Sequence, residues 1–134
     1  MASYEETLVS ITLDAHPDIV VDTAPPNIAP GFQYRFVHVT GDHQCNLFNG
    51  TTVGDIPVGV LQSKPQVEEM ACTVGISGIS LIEAGGNVSA GDGVGADATG
   101  RAITDGTLGI AIYGGAEGEL IPVLLRLTAT PTPA

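Results

Sequence analysis

The run Leu8-Val9-Ser10-Ile11-Thr12-Leu13 alternates apolar and polar residues. Successive side chains on a strand point to opposite faces, so this is the pattern of a half-buried strand. Phe32 to Val39 has the same character, rich in aromatic and β-branched residues, and stops at the turn pair Gly41-Asp42. Shorter apolar runs follow at Val58–Leu61, Met70–Ile76, Ile79–Ile82, Leu108–Ile112 and Leu120–Leu127. Glycine-bearing turns separate them, among them Asn49-Gly50, Gly85-Gly86 and Gly91 to Gly100. No segment carries a helical stripe; Lys64 to Ala71 comes nearest, with Val67, Met70 and Ala71 as its apolar points. The pattern predicts an all-β protein, a small β-barrel or sandwich.

Between the first two strands, Asp14 to Gly31 holds Pro17, Pro25, Pro26 and Pro30. Proline lacks the N–H that a ladder requires, so this stretch reads as an extended linker. Residues 1–30 are then expected to form an N-terminal arm, one strand plus a Pro-rich linker, ahead of a single β-domain over residues 31–127. The Thr/Pro/Ala tail at residues 128–134 is expected to be flexible.

A shift of 50 residues aligns two stretches without a gap: Gly41-Asp42 falls on Gly91-Asp92, Gly50 on Gly100, Val58-Gly59-Val60 on Leu108-Gly109-Ile110, and Thr73-Val74 on Val123-Leu124. Turn glycines and core apolar residues are the classes that define a backbone path. Residues 41–76 and 91–126 are therefore expected to be two copies of one β-motif, an internal pseudo-repeat.

Composition narrows the function. Aromatics are 4% and Trp is absent, so the core must be built from Val, Ile, Leu and Ala. Fifteen acidic and four basic residues give a net charge of −11. Nucleic acid is bound by replacing counterions with Lys and Arg, and Lys64, Arg35, Arg101 and Arg126 cannot make a basic stripe. Neither nucleic acid nor an anionic membrane is expected as a partner. Charged residues are only 14% of the chain, which suits burial in an assembly. Acidic residues occupy the start of the chain, Tyr4-Glu5-Glu6, where a signal peptide carries basic ones, so synthesis in the cytoplasm is expected. Cys45 and Cys72 are expected to be buried free thiols rather than a disulfide.

The chemistry-bearing residues form no recognisable constellation. No Ser sits in Gly-x-Ser-x-Gly, and His16, His38 and His43 all lie in the first third of the chain. Asp42-His43-Gln44-Cys45 could pose as a Cys/His pair, but it reads better as a turn histidine beside a core cysteine. No Cys-x-x-Cys pair supports zinc, and Asp92, Asp97 and Asp105 lack calcium-loop spacing. Glu68-Glu69 and Glu117/Glu119 read as solvated turn acids rather than glycosidase carboxylates. No catalytic residue, cofactor or metal is expected.

From Val58-Gly59-Val60-Leu61 through Val74-Gly75-Ile76-Ser77-Gly78-Ile79 the chain runs to Glu83-Ala84-Gly85-Gly86-Asn87-Val88-Ser89-Ala90-Gly91-Asp92. It continues with Asp97-Ala98-Thr99-Gly100-Arg101-Ala102, Gly109-Ile110-Ala111 and Gly118-Glu119-Leu120-Ile121-Pro122-Val123-Leu124-Leu125. In this order and spacing, residues 53–127 resemble the capsid cement, or head decoration, proteins of tailed bacteriophages. Asp14 to Asn49 departs from that pattern. The resemblance implies a non-enzymatic structural protein, made in the host cytoplasm, that binds the outer surface of the virion head. It also implies the major capsid protein as partner and a homotrimer at or near local three-fold positions. The arm, with Tyr4, Leu8, Ile11 and Leu13, is the expected contact with shell or neighbour. A β-barrel module binding a small ligand or glycan on a virion or cell surface is the alternative.

Overall fold

A computed structural model of the chain describes residues 8–20, 32–50, 56–65 and 70–127. Nine strands account for it, with one 3-10 turn at Pro17–Ile19 and no α-helix among the described residues. They are β1 (Val9–Ala15), β2 (Phe36–Gly41), β3 (Gln44–Leu47), β4 (Pro57–Leu61), β5 (Ala71–Glu83), β6 (Gly93–Ala96), β7 (Ala102–Thr104), β8 (Gly109–Ala111) and β9 (Leu120–Leu125). The order is β1-β3-β2-β4-β5-β9-β8-β6-β7, with β1 also pairing β5.

That extra pairing closes β1, β3, β2, β4 and the first half of β5 into a five-stranded barrel. Closure removes the sheet edges that would otherwise invite aggregation. β5 has thirteen residues and does not stop there. Past Gly78, which sits at φ +100° where L side chains are disfavoured, it pairs with β9 instead. Its second half, with β9, β8, β6 and β7, curls into a second barrel, closed by a parallel bridge from Ala84 to Ala102.

The two barrels are copies of one unit, strand for strand. Ala15 pairs Cys45 in parallel in the first, as Ala84 pairs Ala102 in the second. The Cys45 carbonyl accepts from the His16 N–H, as the Ala102 carbonyl accepts from Gly85. Val37 pairs Leu47 as Val94 pairs Thr104, and Leu61 pairs Val74 as Ala111 pairs Val123. The cores match in the same register. Leu13, Ala15, Ile19, Val37, Cys45, Leu61, Cys72 and Val74 fill the first barrel, and Ile82, Ala84, Val88, Val94, Ala102, Ala111, Ile121 and Val123 fill the second. Two glycines are also equivalent and for one reason. A Cβ on Gly59 would lie 2.4 Å from the Gly75 carbonyl oxygen, and one on Gly109 would lie 2.6 Å from that of Leu124.

The internal repeat is therefore present, but its frame differs from the gapless one. The offset is 69 residues at β1 (Leu13 to Ile82), 57 at β2 and β3 (Val37 to Val94), 50 at β4 (Leu61 to Ala111) and 49 at β5 (Val74 to Val123). Only Val58-Gly59-Val60 was aligned correctly by a uniform shift of 50. Gly91 and Gly100 correspond not to Gly41 and Gly50 but to Tyr34 and His43, and all four of the true partners have positive φ. Connections of different length displace the frame without disturbing the strands.

The first strand also corrects an expectation. Rather than projecting on an arm, β1 is a wall of the first barrel, paired with β5 from Val9 to Asp14 and with β3 at its end. The physical reason is that its apolar set continues past Leu13 to Ala15 and Ile19, both fully buried. Residues 21–31 and the tail at 128–134 lie outside the described residues.

Candidate interaction surface

The residues that could have carried chemistry are used to hold turns and core. His38 is buried and meets the Phe48 ring edge-on at 5.8 Å. His43 forms the β2–β3 turn and lies 3.4 Å from the Asp14 carboxylate. Cys45 and Cys72 are free thiols with sulfurs 3.3 Å apart, and Cys72 donates to the Leu13 carbonyl. The shared hydrogen bond and burial push the Cys45 thiol above its ordinary range. Asp92 accepts from the Ser89 N–H and Glu119 from the Ala116 N–H, each bracing its own turn. Glu68 and Glu69 lie outside the described residues. Among the described residues no three His, Cys, Asp or Glu side chains gather as a metal site.

An ionic cluster stitches the barrels together. Glu83, at the end of β5, meets Arg35 at 3.2 Å and Arg101 at 3.7 Å, and Arg101 meets Asp97 at 3.4 Å. Arg35 also donates to the Thr99 carbonyl and lies over the Phe32 ring. Burial alone would raise the Asp97 carboxyl. Hydrogen bonds from the Arg101 and Thr99 N–H groups and the Thr99 hydroxyl, with the Arg101 charge, outweigh it and hold the carboxyl below its usual range. Two of the four cations of the chain are thus spent inside the joint, and the outer surface is left strongly acidic.

Apolar packing completes the joint. Phe36, Phe48 and Val60 belong to the first barrel, yet they are buried in the core cluster of the second, together with Leu125. Phe36 and Val60 are paired neighbours on β2 and β4 whose next residues, Val37 and Leu61, face the first barrel's interior. They therefore point outward, onto the second barrel. Beside them Gln62 donates to the Ser80 hydroxyl at 2.7 Å.

The outward faces of the two barrels differ sharply at equivalent positions. On β5 and β9 of the second barrel, Ile79 pairs Leu124 and Leu81 pairs Pro122, on the side opposite the core residues Ile82, Ile121 and Val123. The corresponding pairs of the first barrel are Ser10 with Gly75 and Thr12 with Thr73. On β8 and just beyond it stand Ile110 and Ile112, where the first barrel has Val60 and Gln62. The fold thus accepts polar residues at most of these sites, and the second barrel does not use them. Ile79, Leu81, Ile110 and Leu124 are half-buried and Pro122 is buried, while Ile112 at 42% exposure, Tyr113 at 51% and Leu120 at 47% open the margin of this apolar face to solvent.

The anticipated contact residues are distributed differently. Leu13 faces the first core at 7% exposure and Ile11 packs on its margin. Leu8 packs against the second core cluster, and Tyr4 lies outside the described residues. No single strand displays the apolar outer face. Both faces of β9 are apolar, and only the register says which one is outside.

No protein-family model and no curated protein matches the sequence. Among solved structures, the chain is similar to the N base of the head fiber protein gp8.5 of bacteriophage phi29. The TM-score is 0.58 and the identity 18%, over 95% of this chain and 99% of that one. Over that span, both barrels included, the chain shares a fold with that base.

Proposed function

We propose that the protein is a structural component of a tailed-phage virion, bound to the outer surface of the head as a decoration or cement protein. The observation that carries this reading is the likeness to the phi29 head fiber base across essentially the full length of both chains. The resemblance of residues 53–127 to cement proteins points the same way. Both barrel interiors are filled by their own side chains, many fully buried, which favours an adhesive surface over an enclosed ligand site. The partners on this reading are the major capsid protein and further copies of the chain, as a homotrimer. Many weak contacts repeated on a lattice hold through multivalency, so no single contact need be tight. The reading involves no catalytic step and no cofactor.

Co-sedimentation tests it. Purified protein is mixed with phage heads that lack it, and the pellet is quantified against added protein. Saturable binding, with heads that release DNA at a higher temperature, is the expected result. Heads that pellet without the protein at every concentration would exclude the capsid role.

A further inference from the structure

The joint between the barrels has two sides, and the chain carries the equivalent positions of each a second time. One side is the end of the second barrel, where Ser80 accepts from Gln62 and where Ala96, Leu108 and Leu125 belong to or pack on the cluster that holds Phe36, Phe48 and Val60. By the strand correspondence, the same end of the first barrel is Ile11, Val39, Val58 and Ile76. Val39 pairs with the buried Cys45 and so lies on the interior side, yet it is 54% exposed, at an open rim. The other side of the joint is Phe36, Phe48 and Val60, with Gln62 beside them. Its counterpart on the second barrel is Gly93, Gly106, Ile110 and Ile112, with glycine in place of both phenylalanines, flanked by the exposed Tyr113 and Leu120.

We propose that copies of this chain associate head to tail by repeating their internal joint. The Val39 rim of one copy seats on the Ile110–Ile112 face of the next. The occupant of that face is thus a second copy, because this chain supplies an open apolar rim and displays, within itself, how the equivalent rim docks. The proposal rests on the reading of the protein as a self-associating virion component and assigns the surfaces. A contact of this kind uses different patches on the two partners, so it either closes into a ring or grows. The ion pairs of the joint are not repeated. Arg35 and Glu83 correspond to Asp92 and Asp14, two acids. Association should therefore tighten as salt screens them.

The test is the mass of the full chain in solution by light scattering, in roughly 0.5 M salt, where exposed charges are screened beyond a few ångströms. The wild type is expected as a multimer, and Val39→Glu and Ile112→Glu each as monomers with unchanged circular dichroism and melting. Mixing the two variants is decisive. The Ile112→Glu copy keeps a sound rim and the Val39→Glu copy a sound face, so the mixture should form dimers and nothing larger. A wild-type monomer, variants as large as wild type, or a mixture that stays monomeric would each overturn the proposal. Wild-type multimers with unaffected variants would leave self-association standing and remove only these surfaces. Head co-sedimentation of the wild type reports on the capsid reading separately.

Discussion

Replacing Gly59 by Ala puts one methyl group where β4 and β5 run closest. The added carbon would lie 2.4 Å from the Gly75 carbonyl oxygen and 2.6 Å from a Val74 methyl, whereas ordinary contact begins near 3.4 Å. The strands would have to part by about 1 Å, against a normal separation of about 4.8 Å. Val74 is fully buried and cannot turn aside. Hydrogen bonds across this seam, such as Gln62 N–H to the Thr73 carbonyl at 2.8 Å, would stretch with it. Overpacking costs about 1–3 kcal/mol, and a weakened seam bond adds about 1 kcal/mol. A loss of about 3 kcal/mol corresponds to a melting temperature lower by roughly 10 °C in a chain of this length. Gly109→Ala meets the Leu124 oxygen and a Val123 methyl, both at 2.6 Å, and should cost the same within about 1 kcal/mol if the barrels are equivalent. Gly86→Ala is the control, with no atom within 4 Å of the new carbon and no positive φ. It should be neutral or slightly stabilising. Thermal melts of the three variants settle the matter. Gly59→Ala melting within about 2 °C of wild type would refute the close-approach argument.

Leu13→Ala should destabilise by about 2–4 kcal/mol in urea melts, as a core deletion does, and removal of residues 1–13 should open the first barrel rather than trim an arm. Asp97→Ala leaves the Thr99 and Arg101 N–H groups unanswered and should cost about 1–3 kcal/mol at neutral pH. Because the Asp97 carboxyl is depressed in the folded state, its contribution is fully present above the unfolded value of about 3.9. It is lost as pH falls through the lower folded value, so wild type and Asp97→Ala should converge in urea midpoint on acidification. The thiols of Cys45 and Cys72 should resist a thiol reagent in native protein and both react after unfolding; titration of two thiols in the native state would contradict their burial.

Strand positions were legible because their signal is local. Val58–Leu61 and Met70–Ile76 lie within or across β4 and β5, and the all-β class follows from them. The duplication was half legible. Val58-Gly59-Val60 and Leu108-Gly109-Ile110 match in place because the same backbone crowding demands glycine in both copies. The hairpins of β2–β3 and β6–β7 were misaligned, since Tyr34 and His43 occupy left-handed positions that the second copy fills with Gly91 and Gly100. A search keyed on glycine finds the wrong partners there. The prolines that follow β1 suggest separation from the core, the pattern of an arm. Yet the Pro17–Ile19 turn, N-capped by His16, brings Ile19 back into the core that β1 itself walls. The apolar outer face needed the register, a property of pairs of strands that no single strand displays.

Comparing the two copies separates what the barrel needs from what the protein needs. The eight interior positions of each barrel are apolar in both, as any packed core requires. Thr12 and Thr73 sit outward in the first barrel where Leu81 and Pro122 sit in the second, in the same register on the same strands. The first barrel closes without an apolar pair there. The exposed apolar residues at the margin of that face, Ile112, Tyr113 and Leu120, work against solubility. On the proposed reading, this face serves contact with another surface. A chain with net charge −11 repels copies of itself at long range. A close contact between copies must then gather its attraction into a face where apolar burial outweighs that repulsion. The outward face of β5, β8 and β9 has that composition, and the first barrel's equivalent face does not.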